Sequence, residues 1–212
     1  MVDTAPRAYR SALRARQAQE TRTRIVAAAA RLFATQGYQA TTIAAIAREA
    51  GVSAETVKTT AAKAELLIAA FEVTFSGSEA AESLADTEVA SGLLALTDDA
   101  FLDGVLTQIT TANVRGHGLW TVLLGAALSD PLVDAALQRI LDNRRADYRG
   151  LVAELRRRGI APAEGDAEST ADALSFLLSP ESYQQLVVQA GWAPERYAAW
   201  LRDAVLTELA RA

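Results

Sequence analysis

The sequence has no cysteine and only one histidine, His117. Disulfides and thiol chemistry are therefore excluded, and a zinc site of the usual Cys and His ligands cannot be assembled. A chain without cysteine fits a reducing compartment, and a cytoplasmic location is the expectation. A Ser–His–acid triad would have to use His117, yet no glycine-flanked serine elbow is present. No glycine-rich phosphate loop occurs either. Asp98 and Asp99 stand together where a helix start favours carboxylates, so they need no catalytic explanation. The expectation is a protein that is not an enzyme and carries neither cofactor nor metal. No apolar run is long enough to cross a bilayer without meeting charge or glycine, and the N-terminus carries arginines where a signal peptide has an apolar core. No membrane partner is expected. Strand-like alternation is missing too. Half of the 212 residues are apolar, with alanine very frequent. An all-α chain of one or two domains follows.

Charge is present but unevenly placed. The net charge is −5, yet residues 1–70 hold ten Lys/Arg against five Asp/Glu, and residues 71–212 hold eleven against twenty-one. A basic first third on an acidic remainder is the balance of a DNA-facing module attached to a body that does not touch DNA.

The most informative stretch is TTIAAIAREAGVSAETVKTTAAK, residues 41–63. Thr41 or Thr42 can cap a short helix, since a threonine oxygen satisfies N–H groups that lack a partner in the first turn. Ile43, Ile46, Ala47 and Ala50 recur at helical spacing. Gly51 can take the left-handed conformation that ends a helix, and Ser53 caps a second one. Two short helices joined by a glycine turn form a helix-turn-helix over 41–60, whose second helix enters the major groove in DNA-binding versions. Val57 should face inward, which leaves Thr56, Lys58 and Thr59 outward. Threonine can bond a base edge or phosphate, and lysine a guanine edge or phosphate.

Around this stretch stand Ile25, Ala27 to Ala30, Leu32-Phe33, Gly37-Tyr38, Thr41-Thr42, Ala50-Gly51-Val52-Ser53, Thr56-Val57, Lys63 and Leu66-Leu67. In that order and spacing they resemble the N-terminal domain of the tetracycline-repressor (TetR) family of transcriptional regulators. Arg7, Arg10, Arg14 and Arg16 mark a basic arm over 1–17, and the resemblance implies a three-helix DNA-binding domain over 18–78 and a C-terminal helical ligand-binding and dimerisation domain over 79–212. It further implies that Thr41, Thr42 and Lys63 grip the DNA backbone. Tyr38 and Arg22 join the candidate DNA contacts, Tyr38 with ring packing as the alternative role. The implied function is a homodimeric repressor on a palindromic double-stranded operator, released by a small-molecule effector. The 131–158 helix and a C-terminal helix would form the dimer. The family's usual aromatic pair at the end of the second short helix is missing: Lys58, Thr59, Thr60 and Ala61 stand there. A helical dimer that binds ligand or protein and no longer reads specific DNA remains the alternative.

Elsewhere the periodicity predicts a first helix over 22–35, with the arginine-rich segment before it either helical or flexible. A fourth helix begins near Lys63, and a loop with at most one irregular helix spans 76–91. Gly116-His117-Gly118 should break a helix into 98–115 and 119–128. Further helices are expected over 131–158, 167–178, 180–190 and 194–209, the last two opened by Pro180 and Pro194 at the first helical position. Arg156, Arg157 and Arg158 offset the dipole at the end of the longest of these. Phe101, Asn113, His117, Trp120, Leu123, Leu124 and Phe176 are the candidates to line an effector pocket, ordinary core or surface being their alternative.

Overall fold

The computed structural model describes residues 7–77, 79 and 88–211, with 7–11 described by backbone alone. All regular elements among them are helical: α1 (Arg7–Ala40), α2 (Ile43–Ala50), α3 (Ala54–Thr60), α4 (Lys63–Ser76), α5 (Glu88–Leu94), α6 (Asp98–Ala127), α7 (Pro131–Arg157), α8 (Ala167–Leu177), α9 (Pro180–Tyr183) and α10 (Pro194–Leu209). A π-helical turn, Gln184–Gln189, continues α9. The all-α fold read from composition is the observed one, with a helix-turn-helix at one end and a helical body behind it.

The first helix is longer than its apolar stripe suggests. It runs unbroken from Arg7, because Ala, Arg and Gln are strong helix formers and no glycine interrupts them before Gly37. Gly37 bends the chain with φ 77° and ψ 175°. The Thr41 hydroxyl then donates to the Gly37 carbonyl at 2.8 Å, closing the corner.

Two apolar cores organise the molecule. The first joins Ile25 and Phe33 of α1, Ile46 of α2, Val57 of α3 and Leu66, Leu67 and Phe71 of α4. It does not stop at the boundary expected near residue 78. Leu119, Trp120 and Leu123 of α6 and Val133 and Leu137 of α7 belong to the same core. The second core lies further along the body, around Phe101, Tyr148, Val152, Leu155, Leu174, Tyr197 and Leu201.

The break expected at Gly116-His117-Gly118 is absent, and α6 is one helix. Gly116 serves a close helix crossing: a Cβ there would stand 2.7 Å from Cδ2 of Phe75 on α4. The 131–158 helix is α7, and its apolar stripe packs inside the protomer. Val133 and Leu137 enter the first core, and Tyr148, Val152 and Leu155 enter the second, so its apolar face is consumed inside the protomer. That stripe is not free to form a dimer seam.

Candidate nucleic-acid interface and ligand cavity

The turn between α2 and α3 is built by caps. Thr42, rather than Thr41, caps α2, its oxygen accepting from the Ala45 N–H at 3.1 Å. Gly51 ends α2 in the left-handed region at φ 66°. Ser53 opens α3 by accepting from the Thr56 N–H at 3.0 Å. Val57 is fully buried and pins α3 to the domain. Its neighbours Lys58 and Thr59 are exposed and Thr56 half-exposed, so α3 presents them together with exposed Thr42. The Thr59 hydroxyl donates to the Glu55 carbonyl at 3.0 Å, and the Thr56 hydroxyl pairs with Ser53 at 2.8 Å. Each hydroxyl oxygen keeps acceptor capacity.

Three other candidate contacts are held within the protein. Thr41 is completely buried, and its hydroxyl is spent on Gly37. Its side chain does not reach the surface, because it closes the Gly37 corner. Arg22 pairs with Glu79 at 2.6 Å and reaches the Thr60 carbonyl at 3.4 Å. Tyr38 donates its hydroxyl to Oδ2 of Asp130 at 2.7 Å, across the junction with the body. Its ring packs on Phe33, and Lys63 Nζ stands 4.4 Å from the ring centroid.

Lys63 also approaches the Gln39 carbonyl at 3.5 Å, and Gln39 reaches Ser129 at 3.4 Å. Tyr38, Gln39 and Lys63 thus form a latch against the α6–α7 turn. Asp130 serves it twice, since its other oxygen caps α7 at the N–H groups of Leu132 and Val133. The Tyr38 hydrogen bond, with those caps, holds the Asp130 carboxyl below its usual range. Burial first, and then the Asp130 bond, push the Tyr38 phenol up. Burial lowers Lys63, against the pull of Asp130. Nothing local in the sequence marks Asp130 as a partner of Tyr38.

Within the body lies a cavity of about 470 Å³ between the end of α4, α5, α6 and α7. Its walls are mostly apolar, with Phe75, Leu93, Phe101, Val105, Ile109 and Leu151 prominent. Gln108, Arg144, Asp147, Tyr148 and Glu154 supply polar edges. Glu154 is pinned by Arg157 and Arg158, whose bonds hold its carboxyl down to about 2. Arg144 is more loosely held, 3.5 Å from Glu181 and 5.4 Å from the centre of the Trp120 ring.

Of the pocket candidates only Phe101 lines this cavity. Trp120 and Leu123 are first-core residues. Asn113 is buried and donates to the carbonyls of Leu178 and Ser179 at 3.1 and 3.2 Å, tying α6 to the α8–α9 turn. His117 stands edge-on to Tyr183, centroids 5.1 Å apart, and burial lowers its pKa. Leu124 and Phe176 lie on the outer surface. The residues missed, Val105, Gln108, Ile109, Arg144, Tyr148 and Leu151, follow helical spacing with no chemical mark to single them out.

Residues 25–58 match the model of the bacterial regulatory proteins, tetR family. No curated protein sequence matches. Several solved structures share the fold. One, assigned as a transcriptional regulator of Pseudomonas aeruginosa PAO1, has 19% identity and a TM-score of 0.68, over 91% of this chain and 91% of that one. The fatty acid degradation regulator FadR of Bacillus halodurans has 18% identity and a TM-score of 0.67, over 89% and 94%. A gamma-butyrolactone receptor, an ArpA-like protein, has 19% identity and a TM-score of 0.53, over 92% and 100%.

Proposed function

We propose that this chain, a regulator whose DNA-binding domain belongs to the tetR family, acts as a homodimeric transcriptional repressor released from a palindromic operator by a small amphipathic ligand. The observation that carries this reading is the outward set Thr42, Thr56, Lys58 and Thr59 on a capped helix-turn-helix. Lys63 is assigned a phosphate contact from the start of α4, and the cytoplasm is the compartment in which such a protein meets DNA.

Ligand control follows from α4. Its first residue, Lys63, stands beside the latch, and Phe75 near its far end lines the cavity. Fourteen residues separate the ends of that helix by about 20 Å as one rigid rod. A ligand pressing on Phe75 tilts α4 and changes the separation of the two α3 helices in a dimer. It acts only by binding the released arrangement more tightly than the DNA-bound one. The apolar walls suit an amphipathic molecule. Two structural neighbours are named for fatty acid degradation and for gamma-butyrolactone, both compatible with such a cavity.

A second reading is favoured by one feature. The end of α3 carries Thr59, Thr60 and Ala61 in place of aromatic residues, which fits a helical ligand- or protein-binding dimer that no longer reads specific DNA. Substitution separates the two. Lys58→Ala and Lys63→Ala should each weaken duplex binding, and each lost phosphate contact should flatten the dependence of log K on log salt by about one unit. Unchanged binding in both variants would place the interface elsewhere.

A further inference from the structure

We infer that the N-terminal half of α1 forms a second DNA-contacting surface, a basic ridge for phosphates flanking the site addressed by α3. The inference rests on the DNA-binding reading above. Between Arg7 and Arg48 the only carboxylate is Glu20, and Arg16 already pairs with it at 3.1 Å. Residues 12–20 are exposed all round the helix, so intramolecular packing gives this overhang no role. Apart from Leu13 its large side chains are polar, and a solvent-exposed polar helix of this kind is suited to bridge to something outside the fold.

The arginines are ordered rather than scattered. Positions 7, 10, 14, 17, 21 and 24 alternate steps of three and four along α1 and hold Arg, Arg, Arg, Gln, Thr and Arg. Such steps keep residues on one line of a helix. Arg14 and Arg24 are exposed, and neither forms an ion pair among the described residues. Ala15 and Ala18 flank the line, leaving little bulk to hold a partner away.

The line also points to the right side. Arg14, Thr21 and Ala28 are spaced seven apart, and Ala28 is buried in the first core. The drift is about 20° per step and about 40° from Arg14 to Ala28, which keeps them on one side of the helix. Arg14 therefore projects on the core-facing side of α1, but past the end of the domain. Arg22 fixes where that end is, because it reaches the Thr60 carbonyl at the C-terminus of α3. Arg14 stands about 12 Å beyond it along the axis. Among the described residues, the surface that overhangs the end of α3 carries two acids, Glu20 and Glu79, each already paired with an arginine, Arg16 and Arg22, which leaves Arg14 and Arg24 as its uncompensated charges. Its chemical complement is the sugar-phosphate backbone of double-stranded DNA, which guanidinium groups bind with paired hydrogen bonds.

The test is the salt dependence of binding by the full-length protein to a labelled random-sequence duplex, followed by fluorescence anisotropy. Arg14→Gln combined with Arg24→Gln should lower the slope of log K against log salt by about two units. Arg16→Gln, off the line and already paired, should leave the slope where it is. Glutamine keeps the helix propensity, and far-UV circular dichroism checks that α1 persists. A wild-type protein that binds and a double variant with the same slope and affinity would overturn the ridge alone. An equal loss from Arg16→Gln would overturn it as well, since any surface arginine would then do. No binding by the wild type at low salt would overturn the DNA reading and the ridge with it.

Discussion

Tyr38 adds a part-buried hydrogen bond to the shared core that already joins the helix-turn-helix domain to the body. Its 2.7 Å bond to Asp130 joins groups far apart in sequence. Removing it with Tyr38→Phe should cost about 1 kcal/mol of stability at neutral pH, at the low end for a bond to a charged group because the site is half-exposed. The pH dependence has a definite sign. Asp130 is depressed in the folded state, so its contribution is complete above the unfolded carboxylate value of about 3.9 and is lost as pH falls through the lower folded value. Tyr38 is raised, so its contribution is complete below about 10 and is lost as pH rises through the folded value. Urea unfolding of wild type and Tyr38→Phe should therefore differ most across the neutral range and converge in acid. A constant difference at all pH values would remove the latch from the stability of the fold. At this scale the sequence was legible where chemistry is local. The Ser53 cap, the inward Val57 and the outward Lys58 follow from spacing alone. The roles of Thr41, Arg22 and Tyr38 depend on Gly37, Glu79 and Asp130, and no local rule brings these together.

Glycine shows why element boundaries were harder to read than elements. Gly51 and Gly37 both sit at positive φ and terminate or bend helices, as a glycine in a periodic pattern suggests. Gly116 and Gly118 look alike in sequence, yet both lie inside α6. They differ in what surrounds them, and this gives a paired prediction. A Cβ at Gly118 meets nothing, so Gly118→Ala should gain up to about 1 kcal/mol from helix propensity. A Cβ at Gly116 meets Phe75 at 2.7 Å, so Gly116→Ala should lose about 1–2 kcal/mol as overpacking outweighs propensity. Thermal unfolding of the two variants should move in opposite directions. Stabilisation by both would mean that α4 and α6 do not cross as closely as described. The positions of α4, α7, α8 and α10 were legible because apolar stripes, Asp130-Pro131, Ser179-Pro180 and Ala193-Pro194 mark them. The early start of α1 was not, since an exposed helix of Ala, Arg and Gln carries no stripe.

Two apolar cores organise the whole molecule. The helix-turn-helix domain shares its core with α6 and α7, so a movement in the body is felt in the domain without a flexible joint between them. Large apolar side chains are left outside at several places, and for the proposed dimer we place the second copy on the group carried by α8, the π-helical turn and α10. Phe176 on α8 is 61% exposed, Val188 in the π-helical turn 50% and Leu206 on α10 37%. Unpaired large apolar groups on neighbouring elements are the mark of an interaction surface. On the proposal that the chain is a homodimer with this seam, Phe176→Glu should give a monomer in sedimentation analysis where the wild type gives a dimer. It should also lower affinity for a two-half-site DNA by a factor of about 10² or more, because the second module no longer binds at high effective concentration. A dimer unaffected by Phe176→Glu would move the seam to another face.

The central claim is that α2 and α3 read DNA as a pair. The most direct measurement is to incubate the purified protein with fragmented genomic DNA from its own source, near physiological salt, and sequence what it retains. The account predicts a small set of fragments sharing a palindrome, with half-sites one helical turn or a small multiple apart, and their loss with Lys58→Ala. Retention without sequence preference, or none at low salt, would contradict it and leave the helical dimer as a ligand- or protein-binding module.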